Sequence, residues 1–255
     1  MRTALTIAGS DSSGRAGIQA DLRTFAAVGV RGATAITAIT AQNASGVSAI
    51  VPLEADLVTA QIEAAASDAN GAGEPGIHAT KIGMLGNAAI AEAVVAAIEE
   101  LELPLVVLDP VLATSRGTRL LDTDGVQVLL SELLPRVLVV TPNIAEAEAL
   151  SGKRITSIED VREAARRLHH QGARNVIVKG GHSTGVEVVD VLFDGKQFHE
   201  ARIARVARPD SVRGTGCSFA SAVAAFLALD HPLPEAARLA QQHVAALIAS
   251  AQDVY

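Results

Sequence analysis

Tryptophan is absent from the 255-residue chain, tyrosine and cysteine occur once each, and aromatic residues make up only 2% of it. So little aromatic surface argues against recognition by base-stacking platforms or an aromatic cage. The lone cysteine, Cys217, excludes an internal disulfide and a thiolate-rich metal site. Positive charge is also short: the formal net charge is −7, which speaks against a broad nucleic-acid footprint. No apolar run reaches the roughly 20 residues that a bilayer span needs, so no membrane partner is expected. The start, Met1 to Gly9, lacks the long apolar region of a secretory signal and reads as a first buried strand, so cytoplasmic residence is the expectation. Hydrolase and metal signatures are missing as well. There is no Gly-x-Ser-x-Gly elbow, and His169 and His170 are adjacent rather than on one helix face.

What the chain does have is aliphatic. Hydrophobic residues are 49% of the sequence, mostly Ala, Val, Ile and Leu, enough for a full core in one domain over residues 1–255. Short β-branched runs alternate with Ala/Leu/Glu-rich stretches, the pattern of βα units around a mainly parallel sheet. The runs predict strands at Leu5–Ala8, Ala33–Ile39, Thr80–Ile82, Leu105–Leu108, Val137–Val140 and Val176–Lys179. Helical spacing covers Ile18–Val28, Glu54–Ser67, Ala88–Glu100, Asp124–Leu134, Ile158–Gln171, Cys217–Leu229 and Glu235–Gln252. Val186–Phe198, with a turn at Asp194-Gly195, predicts an antiparallel edge hairpin. Gly71–Gly76 reads as a surface loop rather than a linker, because βα elements continue on both sides.

The residues able to do chemistry fall where strands end. Gly214-Thr215-Gly216-Cys217 opens an apolar helix. Its glycines can turn amides inward and the helix adds its positive end, which together make an anion hole for a transferred phosphoryl group. The same segment reads equally as a tight turn with Thr215 as N-cap. A thiol in a first helical turn tends towards thiolate, so Cys217 is a candidate base for a hydroxyl proton; a small buried hydrophobe is the plainer reading. The first βα connection, Gly9 to Gly17, carries no Gly-Lys-Ser/Thr ending, which excludes a Walker-type nucleotide loop. Asp21, one turn into the next helix, could hold a substrate hydroxyl or be a solvated carboxylate. Asn143 and Glu146 have capping-box spacing, and their amide and carboxylate could also orient a hydrated Mg²⁺. Asp109 could add a second carboxylate there, or end its strand in an ordinary turn. Lys179, ahead of Gly180-Gly181-His182, could neutralise phosphate or mark an exposed strand end. Gln42-Asn43 offers a paired donor and acceptor to a heterocycle edge, or simply a turn.

In order along the chain, Ala8 to Gly14, Ala16 to Asp21, Thr40 to Asn43, Lys81-Ile82-Gly83-Met84-Leu85, Asp109-Pro110-Val111, Thr141-Pro142-Asn143 with Glu146, Lys179 to His182 and Gly214 to Cys217 resemble one family. It is the ribokinase-like superfamily and, within it, the hydroxymethylpyrimidine/phosphomethylpyrimidine kinases of thiamin biosynthesis. The resemblance implies a three-layer α/β sandwich with a central, mostly parallel sheet and a small β flap. It implies ATP over the Lys179 to Cys217 side, with Mg²⁺ held through water by Asp109 and Glu146, and Asn143 and Thr215 assisting the nucleotide. The pyrimidine would rest against Gly9, Asp21, Gln42, Met84 and Val111, with Gln42 on the ring edge and Asp21 on the hydroxyl. Gly214, Gly216, Cys217 and Lys179 would carry transfer, Cys217 standing where most ribokinase relatives have an aspartate. Relatives also suggest a homodimer. The departures are Arg15 in the first loop, Ser115-Arg116 after Asp109-Pro110-Val111, and Ser211-Val212-Arg213 before the anion hole. Arg116 and Arg213 could bind a substrate phosphate bidentately. Pyridoxal kinase is the rival enzyme, and a non-catalytic pyrimidine sensor is the rival of another class.

Overall fold

The computed structural model describes residues 1–43, 45–68, 76–114, 116–180, 185–206 and 213–250. The Gly71–Gly76 loop lies almost wholly outside these, as do Ser115, Gly181, His182, Ser211 and Val212. Strands β1 (Thr3–Asp11), β2 (Arg31–Asn43), β3 (Gly46–Pro52), β4 (Ala79–Ile82), β5 (Val106–Leu108), β6 (Val139–Val140), β7 (Val176–Val178), β8 (Glu187–Phe193) and β9 (Phe198–Ala204) form one sheet of order β3-β2-β1-β4-β5-β6-β7-β8-β9. Every pairing from β2 to β7 is parallel, whereas β3, β8 and β9 run antiparallel at the two edges. The predicted hairpin is the β8–β9 edge; it turns at Asp194-Gly195, and its second strand runs on to Ala204.

Helices α1 (Gly17–Val28), α2 (Ala55–Asp68), α3 (Ala88–Glu100), α4 (Thr123–Val128), α5 (Ile144–Ser151), α6 (Ile158–His170), α7 (Thr215–Ala228) and α8 (Leu233–Ser250) cover both faces. The period-2 side-chain alternation of the strands divides the core accordingly. Leu5, Ile7, Leu108 and Val178 pack with α2 to α6, while Ala4, Val107, Ile177 and Leu192 pack with α1, α7 and α8. Three layers result, as the family resemblance implies.

Two local expectations need correction. The helix expected over Asp124–Leu134 is α4 followed by a π turn at Leu129–Leu133 and a 3₁₀ turn at Leu134–Arg136. Pro135 cannot donate to an i−4 carbonyl, so the regular ladder stops ahead of it. The sequence reading also stopped β2 at Ile39 and missed β3. In the structure β2 continues to Asn43 and turns back as β3, which is the small flap at one edge.

Parallel strands bring their C-terminal ends to one edge, so Gly9, Gln42, Met84, Asp109, Asn143 and Lys179 are gathered there by topology. Among the described residues no helix is long and apolar enough to cross a membrane.

Candidate active site

A crevice of about 740 Å³ runs along that edge. Its walls include Gly9, Gln42, Met84 and Val111, Asp109, Asn143, Glu146 and Lys179, and Gly214, Thr215, Gly216 and Cys217. A second, narrower cavity of about 150 Å³ shares Asn143, Lys179, Thr215 and Gly216 with it. Its remaining lining is largely apolar, with Val188 of β8, Ile203 of β9, Phe219 of α7, and Val244 and Ile248 of α8, but Asp190, Arg205 and Gln241 also face it.

Gly214 is the hinge of the site. It caps α7 in the left-handed region with φ +74°, and a Cβ there would lie 2.1 Å from the Arg15 carbonyl oxygen. Only glycine fits both demands. Thr215 is therefore the first helical residue and not the N-cap, and the cap position contributes no side-chain hydrogen bond. The first-turn amides of α7 are left for whatever occupies the crevice. At Gly216 a Cβ would meet only the Lys179 ammonium, at 3.4 Å, an ordinary contact.

Lys179, buried at the end of β7, donates to Asp109 Oδ1 at 2.7 Å. Burial alone would depress its pKa, but Asp109 and Glu146 raise it above the ordinary lysine value. Asn143 and Glu146 form the expected capping box: Asn143 N–H donates to Glu146 Oε2 at 2.8 Å, and Glu146 N–H to Asn143 Oδ1 at 3.0 Å. Burial, reinforced by Asp109, pushes the Glu146 carboxyl up to about 7 against the pull of Lys179. No group of three or more His, Cys, Asp or Glu among the described residues could enclose a metal ion. Two carboxylates at the crevice, Asp109 and Glu146, nevertheless suit Mg²⁺, which prefers one or two carboxylates with phosphate oxygens and water.

Two sequence expectations fail on geometry. Asp21 has no accessible surface and lies beneath the crevice rather than on its wall. Its carboxylate accepts from Thr6 Oγ1 at 2.6 Å, Lys81 Nζ at 2.9 Å and Ser221 Oγ at 2.7 Å, so it is committed to the scaffold and does not reach a substrate hydroxyl. Cys217, half-buried on the crevice wall, is not a depressed thiol. Burial pushes it up to about 11, with Lys81 opposing and Asp109 and Asp21 adding to the rise. The helix end does not compensate for that burial and for the two nearby carboxylates.

The remaining pyrimidine-side residues converge. Met84 Sδ is the nearest atom to Gly9, where a Cβ would stand 3.1 Å away, and the Met84 carbonyl is held by Thr37 Oγ1 at 2.6 Å. The Gln42 main chain is tied to Ser12 Oγ through its N–H at 2.8 Å and its carbonyl at 2.9 Å, which fixes the flap over the first loop. Arg116 and Arg213 both line the crevice, and Arg116 donates to the Ser45 carbonyl at the flap turn.

Three features escaped the sequence reading. Asp11, buried, organises the first loop by accepting from Ser13, Arg15 and Ala16 amides at 2.8, 3.1 and 2.8 Å. Lys81 borders the crevice from beneath. The narrow cavity is faced by Gln241, Val244, Ala245 and Ile248, an i, i+3, i+4, i+7 stripe that reads as core packing in sequence alone.

Comparison with known proteins identifies the family. The family model described as phosphomethylpyrimidine kinase matches residues 11–254. The thiamine biosynthesis bifunctional protein ThiED of Geobacter sulfurreducens is 45% identical over 98% of this chain, which spans only 50% of that protein. A hydroxymethylpyrimidine/phosphomethylpyrimidine kinase of Rhizobium meliloti is 43% identical over 97% of the chain and 91% of its own length. Among solved structures, the ADP complex of Bacillus subtilis pyridoxal kinase superposes with a TM-score of 0.84 at 37% identity, covering 95% of this chain and 89% of that one. With that family model matched over nearly the whole chain, the chain belongs to the phosphomethylpyrimidine kinase family.

Proposed function

We propose that this protein transfers the γ-phosphoryl group of ATP to the hydroxymethyl oxygen of 4-amino-5-hydroxymethyl-2-methylpyrimidine, and then to the resulting monophosphate. The observation that carries the reading is the uncapped start of α7 beside Cys217, open to a crevice also walled by Gln42, Met84 and Val111. The narrow cavity suits a purine in size and apolar lining, and its shared wall with the crevice runs a triphosphate from Thr215 towards Gly214. The amides of Gly214, Gly216 and Cys217 hold the equatorial oxygens in flight, and Lys179 offsets their charge. Asp109 and Glu146 would hold Mg²⁺, and the bound ion would further neutralise phosphate charge. Cys217 takes the acceptor proton, which at neutral pH calls for the thiol to be drawn towards thiolate when acceptor and nucleotide are bound.

Pyridoxal is the second reading, because a pyridoxal kinase superposes so closely. Steady-state kinetics with the alcohol, its monophosphate and pyridoxal as acceptors decide between them. The highest kcat/KM is expected for the pyrimidines, and a clear preference for pyridoxal would reverse the assignment. ATP binding without product from any acceptor would instead support a sensor. Arg116 and Arg213 line the crevice where an acceptor phosphate would enter. Replacing both by Gln should lower kcat/KM for the monophosphate roughly ten-fold more than for the alcohol, the order expected of a lost charge-assisted pair. Equal losses on both acceptors would count against phosphate recognition.

A further inference from the structure

Lys81 is a buried charge to which phosphoryl transfer as described gives no task. It stands on β4 with no accessible surface and borders the crevice from beneath, as Cys217 does from its wall. Its ammonium donates to Asp21 Oδ2 at 2.9 Å, and the same carboxylate is fixed by Thr6 of β1 and Ser221 of α7. Ser221 follows Cys217 by one helical turn and so shares its face of α7. The ion pair is thus clamped by β1, β4, α1 and α7, one helical turn of α7 from Cys217 and on the same crevice. A Cβ on Gly83 would come within 2.6 Å of the Lys81 ammonium, so the residue after β4 has to be free of a side chain for the lysine to stay there.

Stability does not account for such a pair. Desolvating both ions offsets most of their attraction, and apolar residues of the same volume commonly pack as well or better. What the pair does provide is a fixed, water-free charge near the reacting sulfur. We propose that Lys81 is a positioning residue for the reaction: its ammonium, held by Asp21, sets the electrostatic potential at the Cys217 sulfur and keeps the thiolate accessible during turnover.

The charges around that sulfur give Lys81 the leading part. Lys179 of β7 is the other nearby cation, and the Gly17 amide of α1 donates to the sulfur. Asp109, after β5, and Asp21 oppose thiolate formation, while Glu146 of α5, Arg116 and Arg213 line the same crevice. Of the groups that pull the thiol down against its burial, Lys81 is the strongest. Its own charge is secure: burial would depress it, but Asp21, Cys217 and Asp109 together hold it above the ordinary lysine value.

The consequence for catalysis rests on the kinase reading, but the test reads the thiol itself. Cys217 is the only cysteine, so the pH dependence of alkylation by iodoacetamide reports it without ambiguity. The variants are Lys81→Met, Lys81→Arg and the double variant Asp21→Asn/Lys81→Met, each checked for fold by circular dichroism. The apparent thiol pKa should rise from wild type to the double variant to Lys81→Met, while Lys81→Arg stays near wild type. Each unit of rise appears as roughly ten-fold slower alkylation at neutral pH. The rising limb of kcat/KM against pH should move by the same amount. Should Lys81→Met fail to fold with Asp21 left unpaired, wild type against the double variant decides alone. Superimposable alkylation profiles among the folded proteins would overturn the proposal, even if activity were lost. An ordered shift in a protein that phosphorylates no acceptor would uphold the electrostatics and sink the kinase reading instead.

Discussion

Six helix starts of this protein fall into two groups. Helices α3, α4, α5 and α6 each begin with a side chain that accepts a first-turn amide: Asn87 from Ile90, Asp122 from Gly125, Asn143 from Glu146 and Ser157 from Asp160. Helices α1 and α7 begin at Ala16 and Gly214, neither of which makes such a bond. Both uncapped starts border the crevice, and of the capped ones only α5 does so. Capping stabilises a helix by taking up its loose donors, and the same act removes them from any ligand. The chain therefore caps where a helix only has to stand, and at α7 leaves donors open beside the crevice. Helix α5 is the instructive intermediate, since its box closes the amides and turns the Glu146 carboxylate to the crevice.

The sharpest way to break this division is at Gly214. Gly214→Ala places a Cβ on the Arg15 carbonyl and forces alanine into the left-handed region, so the α7 amides must turn away from the phosphate. Turnover should fall roughly 10³-fold, the order seen on losing an oxyanion donor. ATP-dependent product formation measured beside urea unfolding separates this from simple loss of fold. Next in size is Cys217→Ala, expected to lower kcat about 10²-fold with little change in stability, because the base is lost while the amides remain. With burial raising the thiol to about 11, wild-type turnover should climb as pH rises above neutrality. Cys217→Ala should flatten that climb, and an unaltered slope would remove the thiol from the mechanism.

Much of this site was legible in the sequence, for physical reasons. Parallel strands deliver their ends to one edge, so residues that follow predicted strands are neighbours before any coordinate is known; Gln42, Asp109, Asn143 and Lys179 were found that way. Gly214 was legible because a glycine ahead of an apolar helix has few other uses. Asp21 was misplaced, since a carboxylate early in a helix looks the same in sequence whether it faces solvent or a buried lysine. Its partners Thr6, Lys81 and Ser221 come from three distant segments, and no local pattern announces their meeting. The Cys217 thiol was misjudged for the same reason: the helix end is local, whereas the opposing carboxylates arrive from elsewhere in the fold. Strand β3 was missed because an exposed edge strand has no alternating apolar signal.

Capping logic extends past helices at Asp190, which is buried and accepts from the Gly180 amide at 2.7 Å just after Lys179. Burial raises this carboxyl to about 6, despite that bond, Gln241 and Lys179 all favouring the charged form. The folded state thus holds the proton more tightly than the unfolded chain does. The stability it confers is complete below the ordinary aspartate range and drains away as pH rises through about 6. Asp190→Asn should flatten the stability profile between those limits by on the order of 2 kcal/mol, read from urea unfolding at successive pH values. A profile as steep in the variant as in wild type would show that Asp190 is not the group responsible.

The smallest effect tests the other half of the division. Asn87 accepts the Ile90 amide at 2.9 Å at the start of α3, whose residues do not reach the crevice. Asn87→Ala should cost about 1 kcal/mol of stability, and Asn87→Gly only a few tenths, because glycine leaves the amide open to water. Neither should move KM or kcat, since no ligand uses that helix end. A change in KM without loss of stability would mean that capped starts also serve the ligand. Capping would then not separate scaffold from site, and the open amides of α7 would need some other reason for lying where they do.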